Sequence, residues 1–118
     1  MKHFTKSNIK DLEKVKRLNI INSITGIKPG NLIGTISKEK ITNLAIFSSV
    51  IHLGSNPALL GFILRPQERV RRDTYNNILE NGSYSINHLP ETLTINGHYT
   101  SAKFNEDQSE FDYCKFTE

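Results

Sequence analysis

Residues 41–62 read ITNLAIFSSVIHLGSNPALLGF and contain the strongest strand signal of the chain. The run ITNLAIFSSVIHL is rich in β-branched and aromatic residues, which predicts one long strand beginning at Ile41. Residues 54–57, GSNP, predict a turn, and the apolar run ALLGFIL after them predicts a second strand that ends before Pro66. The stretch therefore predicts two apolar strands joined by a polar turn.

The residues before this stretch predict one helix and further strands. Ser7 is the expected cap of a helix over about residues 8–17, in which apolar residues recur every three positions. Strands are expected from about residue 18 onward. The segment NLIGTIS, residues 31–37, predicts a short strand that ends in a turn.

The residues after the stretch predict a second helix and another strand. This helix is expected to be capped by Asp73 or Thr74 and to end at Gly82. Its Tyr75, Ile78 and Leu79 are expected to share one face. SYSINHL, residues 83–89, predicts a strand, and residues 91–104 are weakly helical or irregular. The order of elements favours a mainly β, mostly antiparallel fold with peripheral helices.

The composition is that of an ordinary globular chain. A length of 118 residues predicts a single domain over residues 1–118, and 36% hydrophobic content argues against disorder. Cys114, the single cysteine, has no partner for an internal disulfide, which favours a cytoplasmic location. No apolar run reaches the ~20 residues needed to span a bilayer, and the charged N-terminus has no apolar core typical of a secretory signal. We therefore expect no membrane partner.

Four arginines cluster ahead of the second predicted helix. The first turn of a helix has unpaired N–H groups and partial positive charge, so an anion gains hydrogen bonds there. The cluster suits one small anion better than a long phosphate backbone, and nucleic acid is not an expected partner despite the net charge of +3. The alternative is that these are solvated loop residues and that Asp73 only caps the helix. The four are Arg65, Arg69, Arg71 and Arg72.

Small polar residues interrupt the apolar strands. Ser48, Ser49, Ser55 and Asn56 could hydrogen-bond the polar edge of a planar ring, or could be the hydroxyls and amide of an edge segment facing water. Other chemistry lacks support, because GxGxxG, GxxxxGK[ST], GxSxG and zinc-ligand spacings are all absent from the sequence. We therefore assign neither a catalytic side chain nor a metal ligand.

Six segments of the chain resemble, in the same order, the flavin reductase-like, FMN-binding split-barrel family. The resemblance extends from about Leu18 to the end of the chain. The segments are TNLAIFSS (42–49), SNP (55–57), RDTYNNI (72–78), YSINHL (84–89), TSAKF (100–104) and SEFD (109–112).

The resemblance implies a homodimer of antiparallel split barrels with FMN near the subunit interface. In family members the segment matching residues 43–49 lines the flavin ring and ribityl chain. The segment matching residues 72–74 holds the phosphate, and the one matching residues 101–104 lies close to the cofactor. The cofactor-binding residues predicted in this way are Asn43, Leu44, Ala45, Phe47, Ser48, Ser49, Ser55, Arg72, Asp73, Thr74, Ser101 and Lys103.

The resemblance also implies a redox function. Members take hydride from NADH or NADPH onto flavin, or pass electrons from bound FMN to an acceptor, so an NAD(P)H-dependent flavin oxidoreductase is expected. Two alternatives stay open: a non-catalytic FMN-binding or electron-transfer module, and a degenerate barrel that serves only as an oligomerising domain. Relatives usually continue beyond the position of Glu118 with further strands that help to close the barrel. An incomplete, C-terminally truncated barrel is therefore expected.

Overall fold

The structure, a computed structural model, describes residues 3–67 and 70–118, and its helices and strands alternate in groups along the chain. A single 3₁₀ turn, Glu91–Leu93, lies between the last strand and the two C-terminal helices. The elements are α1 (Lys6–Asp11), α2 (Lys14–Ser23), β1 (Asn31–Ile36), β2 (Thr42–Phe47), β3 (Ile51–Ser55), β4 (Ala58–Gly61), α3 (Asp73–Asn81), β5 (Ser85–His88), α4 (Thr94–Tyr99) and α5 (Glu110–Cys114).

Strand β1 is the centre of a three-stranded antiparallel sheet with the order β2-β1-β5. Ile33 of β1 lies opposite Ala45 of β2 on one side and Ile86 of β5 on the other. Residues 31–35 are all buried, because β1 has a neighbour along each edge and α3 packs against it. The strand predicted over NLIGTIS is confirmed.

Strands β3 and β4 form a separate antiparallel hairpin rather than an extension of this sheet. The prediction of one long strand from Ile41 is wrong, because β2 ends at Phe47 and a separate strand, β3, begins at Ile51 in the other sheet. Ser49 explains the break. Its Oγ donates to the Ile63 carbonyl at 3.2 Å and accepts from the Ile63 N–H at 3.1 Å, which competes with ladder pairing. The second predicted strand is also shorter, since β4 ends at Gly61.

The N-terminal prediction is wrong in its boundaries. Two helices replace the single helix over residues 8–17, and α2 continues through residues 18–23 where strands were expected. Thr5, not Ser7, caps α1, and its Oγ1 accepts the Asn8 N–H at 3.1 Å. The break between the helices is stabilised by Arg17, whose guanidinium donates to the carbonyls of Lys10 and Leu12 at the end of α1.

Helix α3 begins at Asp73 and ends at Gly82, but its cap and its buried face differ from the prediction. Neither Asp73 nor Thr74 is the cap, and the residue at that position, Arg72, makes no side-chain cap bond. The buried side chains of α3 are Thr74 and Asn77, whereas the predicted face is largely exposed at Leu79. Gly82 has φ +69°, a left-handed conformation that glycine adopts without strain, which confirms the predicted end.

The C-terminal region contains an additional short helix, α5, that the sequence pattern did not indicate. Ser109 caps it by accepting the Phe111 N–H at 3.3 Å, and Glu110 and Cys114 are buried where α5 packs against β2. All strand pairs are antiparallel and the helices are peripheral, as predicted. Within the described ranges the two sheets stay separate, without forming a closed barrel.

None of the helices in the described part of the chain is both long enough and apolar enough to cross a membrane.

Ile33→Ala tests whether β1 is the centre of the core. Ile33 is fully buried, so truncation leaves a cavity, and the free energy of unfolding should fall by about 2–5 kcal/mol. Ile27→Ala is the matched control. Because Ile27 is fully exposed, this variant should stay within about 0.5 kcal/mol of the original protein in urea unfolding. Equal losses for the two variants would contradict the placement of the core.

Candidate functional site

A cavity of about 430 Å³ lies where strand β2 ends beside the first turn of helix α3. Its other walls come from the segment after β4, from the residues that follow α4, and from the first residue of α5. Cavities of this size suit small ligands and cofactors. The lining residues are Asn43, Ala45, Ile46, Phe47, Ser48, Ser49, Ile63, Leu64, Arg65, Arg71, Arg72, Asp73, Thr74, Thr100, Ser101, Ala102 and Glu110.

One end of this cavity is suited to an anion. Arg72 lies directly before α3, and its buried Nε has no hydrogen-bond partner among the described residues. A buried guanidinium N–H without a partner is costly, so it indicates a ligand that supplies an acceptor. Asp73 and Thr74, from the first turn of α3, line the same cavity. The anion site predicted at the arginine cluster therefore has a geometric basis at Arg72.

Arg71 has a different role from Arg72. Its guanidinium pairs with the Asp73 carboxylate at 2.7 Å and with the Glu106 carboxylate at 3.1 Å, and it also donates to the Phe104 carbonyl at 3.3 Å. These contacts tie the segment after α4 to the start of α3. Arg71 is thus already engaged within the protein. Arg65 lines the cavity from an exposed position, and Arg69 lies outside the described residues.

The other end of the cavity is apolar and aromatic, with hydroxyl groups at its edge. Phe47 stacks edge-on against Phe62 with ring centroids 5.0 Å apart, and Phe62 packs similarly on Tyr84 at 5.1 Å. Edge-to-face packing of this kind fixes the position of the Phe47 ring. Ser48 and Ser49 follow Phe47 at the rim. This end can pack a flat ring and hydrogen-bond its polar edge.

Nine of the twelve predicted cofactor-binding residues line the cavity, and three do not. Leu44 is buried outside it, Ser55 is in the β3–β4 hairpin, and Lys103 is exposed next to the cavity wall. Binding by all twelve stays a prediction. The nine that the structure brings together are Asn43, Ala45, Phe47, Ser48, Ser49, Arg72, Asp73, Thr74 and Ser101.

Glu110 is the main cavity residue that the sequence analysis missed. Its Oε2 accepts the Leu44 N–H at 3.0 Å, on the edge of β2 that has no neighbouring strand. Burial raises the pKa of the Glu110 carboxyl above its ordinary value of 4.5. Hydrogen bonds from the N–H groups of Leu44 and of Glu110 itself oppose this rise, the Asp73 charge adds to it and Arg71 opposes it. The sequence signal for Glu110 was its place in the segment SEFD, residues 109–112, which is part of the family resemblance.

A second cavity of about 480 Å³ lies on the other side of Asn43 and Asp73. Carboxylates and amides dominate its walls, and the acidic residues there are Glu39, Asp73, Glu80, Glu106 and Asp107. A phosphate would be repelled by this negative charge. The cavity of about 430 Å³, called the smaller cavity from here on, is therefore the better anion site. Across the described ranges, no three His, Cys, Asp or Glu side chains are grouped in a way that could hold a metal ion.

Comparisons with known proteins agree with this geometry. The family model of the flavin reductase like domain matches residues 27–118. A candidate flavin reductase with a split barrel domain from Shewanella frigidimarina NCIMB 400 is 45% identical, with a TM-score of 0.87 over 96% of this chain and 55% of that chain. A search of curated proteins finds no match.

Two more distant structures share the fold. Nitrilotriacetate monooxygenase component B from Bacillus cereus is 19% identical, with a TM-score of 0.79 over 98% of this chain and 55% of that one. The 2-nitrobenzoate 2-nitroreductase NbaA of Pseudomonas fluorescens is 22% identical, with a TM-score of 0.77 over 98% of this chain and 53% of that one. The chain thus spans about half the length of the structures that it matches.

The fold is that of a flavin reductase like domain. The chain belongs to the family of flavin reductase like domains, as its resemblance indicated.

Glu110→Gln tests the buried carboxyl. Because the pKa of Glu110 is higher in the folded protein than in the unfolded chain, the folded state binds the proton more tightly. The protonated Glu110 carboxyl stabilises the folded state fully below pH 4.5. This contribution is lost as the pH rises through the raised pKa of Glu110 in the folded protein. Glutamine keeps an acceptor for the Leu44 N–H without a charge. The free energy of unfolding of Glu110→Gln relative to the original protein should therefore increase from about pH 4 to about pH 7.

Glu91→Gln, at an exposed position, controls for the loss of one surface charge. Denaturant unfolding at several pH values measures the effect. A difference between Glu110→Gln and the original protein that does not change with pH would contradict the assignment of Glu110 as a buried carboxyl with a raised pKa.

Proposed function

We propose that this protein binds FMN in the smaller cavity and serves as a flavin reductase-like oxidoreductase. The observation that carries the proposal is the buried, unpartnered Nε of Arg72 at the start of α3, opposite an aromatic end of the same cavity. FMN has both matching parts, a phosphate and a flat ring. Membership of the flavin reductase like family supports the flavin, and the anion site favours FMN over a flavin without phosphate.

The phosphate is held by groups of three kinds. The Arg72 guanidinium supplies charge and fixed donors, the first turn of α3 supplies backbone N–H groups, and Thr74 supplies a hydroxyl. Asp73 lies in the same turn, but its carboxylate is paired with Arg71 at 2.7 Å. This ion pair keeps the negative charge of Asp73 from opposing the phosphate.

The ring is held at the end of β2. Ala45 leaves room for a flat group, Phe47 supplies an apolar surface, and the Ser48 hydroxyl lies within the same wall. Bound FMN supplies the flavin ring that accepts hydride from a reduced nicotinamide. The protein orients the ring and excludes water, so no side-chain acid or base is needed. NAD(P)H as reductant, a downstream electron acceptor and a cytoplasmic location are parts of this proposal.

A homodimer completes the proposal. The hairpin β3–β4 carries apolar side chains that are exposed in the single chain, Ile51, Leu53, Leu59 and Leu60 among them. Apolar surface of this kind is characteristic of a contact site. The hairpin begins just after Ser49 and returns at Ile63, both of which line the cavity, so a partner on the hairpin would lie next to the ring.

An absorbance and fluorescence titration tests the function directly. The protein should quench the fluorescence of added FMN at micromolar concentrations. NADH or NADPH should then bleach the flavin absorbance of the complex. If FMN fluorescence is quenched but NADH and NADPH do not bleach the flavin, and a partner reductase then reduces it, the electron-transfer module is favoured. A folded, multimeric protein without quenching would refute FMN binding and favour the oligomerising barrel.

Arg72→Ala tests the phosphate contact. Loss of a hydrogen bond to a charged group costs about 1.5–3 kcal/mol, so FMN should bind about 10- to 100-fold more weakly. Riboflavin, which has no phosphate, should bind almost as before. Arg17→Ala is the matched control, because the guanidinium of Arg17 donates to carbonyls at the end of α1, and Arg17 is not among the residues that line the cavity. Equal losses of FMN and riboflavin binding in Arg72→Ala would refute the role of Arg72.

A further inference from the structure

Four polar side chains are buried together between the three-stranded sheet and α3. Thr35 of β1, Asn43 of β2, and Thr74 and Asn77 of α3 are 7%, 8%, 5% and 6% exposed. The Asn43 Nδ2 lies 3.1 Å from the Thr35 Oγ1 and 3.1 Å from the Thr74 Oγ1. The Asn77 Nδ2 also lies 3.1 Å from the Thr35 Oγ1. Buried polar groups in such a network are held in one arrangement.

The two hydrogens of the Asn43 amide nitrogen are both used. One is donated to Thr35 and the other to Thr74, so the Thr74 oxygen is an acceptor inside the protein. A hydroxyl has one hydrogen of its own, and in the described part of the chain the Thr74 hydroxyl donates it to no protein group. Thr74 also lines the smaller cavity beside Arg72. Its hydrogen is therefore available to a ligand there.

We propose that Asn43 is a positioning residue that fixes the Thr74 hydroxyl as a hydrogen-bond donor to the phosphate of the bound ligand, so that the site selects a phosphorylated flavin. This inference rests on the proposed function. An ionised phosphate oxygen can accept hydrogen bonds but cannot donate them. A fixed donor therefore stabilises a charged phosphate more than it stabilises a neutral hydroxyl group of the ligand. Asn43 thus acts through Thr74, in addition to lining the cavity.

The start of α3 also has no side-chain cap. The cap position is occupied by Arg72, whose guanidinium has no hydrogen-bond acceptor, and Thr74 is the second residue of the helix. The Thr74 oxygen accepts from Asn43. The N–H groups of the first turn are consequently left to the same ligand that the hydroxyl would bind.

Asn43→Leu and Asn77→Leu form a matched pair that tests this role. Both side chains are buried and both donate to Thr35, but of the two it is Asn43 that donates to Thr74. The readout is the ratio of the riboflavin and FMN dissociation constants, measured by fluorescence quenching on protein shown to be folded by circular dichroism. Asn43→Leu should lower this ratio about 3- to 10-fold, the value of one ordinary hydrogen bond, and Asn77→Leu should leave it within about 2-fold.

Asn43→Asp is a nearly isosteric variant that tests the same point if the leucine variants do not fold. A carboxylate accepts where the amide donates, so the Thr74 hydrogen should turn inward and the preference for FMN should fall at least 10-fold. Thr74→Ser, which keeps the hydroxyl, should preserve the ratio, and Thr74→Val should lower it. A ratio in Asn43→Asp equal to that of the original protein would overturn the inference.

The outcomes separate this inference from the proposed function. If the original protein binds neither flavin, the proposed function fails. If it binds FMN with a preference over riboflavin that all folded Asn43 variants retain, FMN binding stands and the positioning role of Asn43 is refuted.

Discussion

The hydrogen bonds from Asn43 to Thr35 and Thr74 fix the start of α3 on the sheet, and the anion end of the cavity depends on them. An apolar helix face would bind the sheet through contacts without direction, which tolerate small shifts of the helix. Hydrogen bonds depend steeply on distance and angle, so the first turn of α3 has one position. Arg72 comes directly before that turn. The backbone of Arg72, from which the side chain with the buried Nε extends, is therefore positioned by the same hydrogen bonds.

The free edge of β2 is the second constraint, and a carboxylate occupies it instead of a strand. β2 pairs with β1 along one side only, and Glu110 accepts the Leu44 N–H on the other. Helix α5 thereby covers the middle of the edge but leaves the end near Phe47 and Ser48 open, which is where the cavity forms. The cost of this arrangement is a buried charge, which is why the pKa of Glu110 is raised.

Local sequence pattern predicted several elements. The segments NLIGTIS and SYSINHL indicated β1 and β5, and Gly82 indicated the end of α3. Two of the errors share a cause, since the broken strand and the missed Glu110 depend on partners distant in sequence. The strand breaks because Ser49 bonds Ile63, and Glu110 reaches Leu44 from 66 positions away. At the site, the family resemblance predicted which segments bind the cofactor, and not which side chains within them do so. Neighbouring side chains of a strand point to opposite faces. Leu44, which stands between Asn43 and Ala45 in the sequence, therefore lies outside the cavity that they line.

The two ends of the cavity differ in how complete they are within one chain. Arg72, Thr74 and the start of α3 form the anion end from adjacent residues on a docked helix. The ring end is bordered by the apolar β3–β4 hairpin, whose exposed leucines need cover, and the chain spans only 55% of the similar Shewanella structure. Any surface that packs on the hairpin also removes water from the rim at Ser49 and Ile63. In the proposed complex, the groups named for phosphate binding come from one short segment of this chain. Burial of the ring, and with it the low-dielectric environment that tunes a flavin, is coupled to assembly.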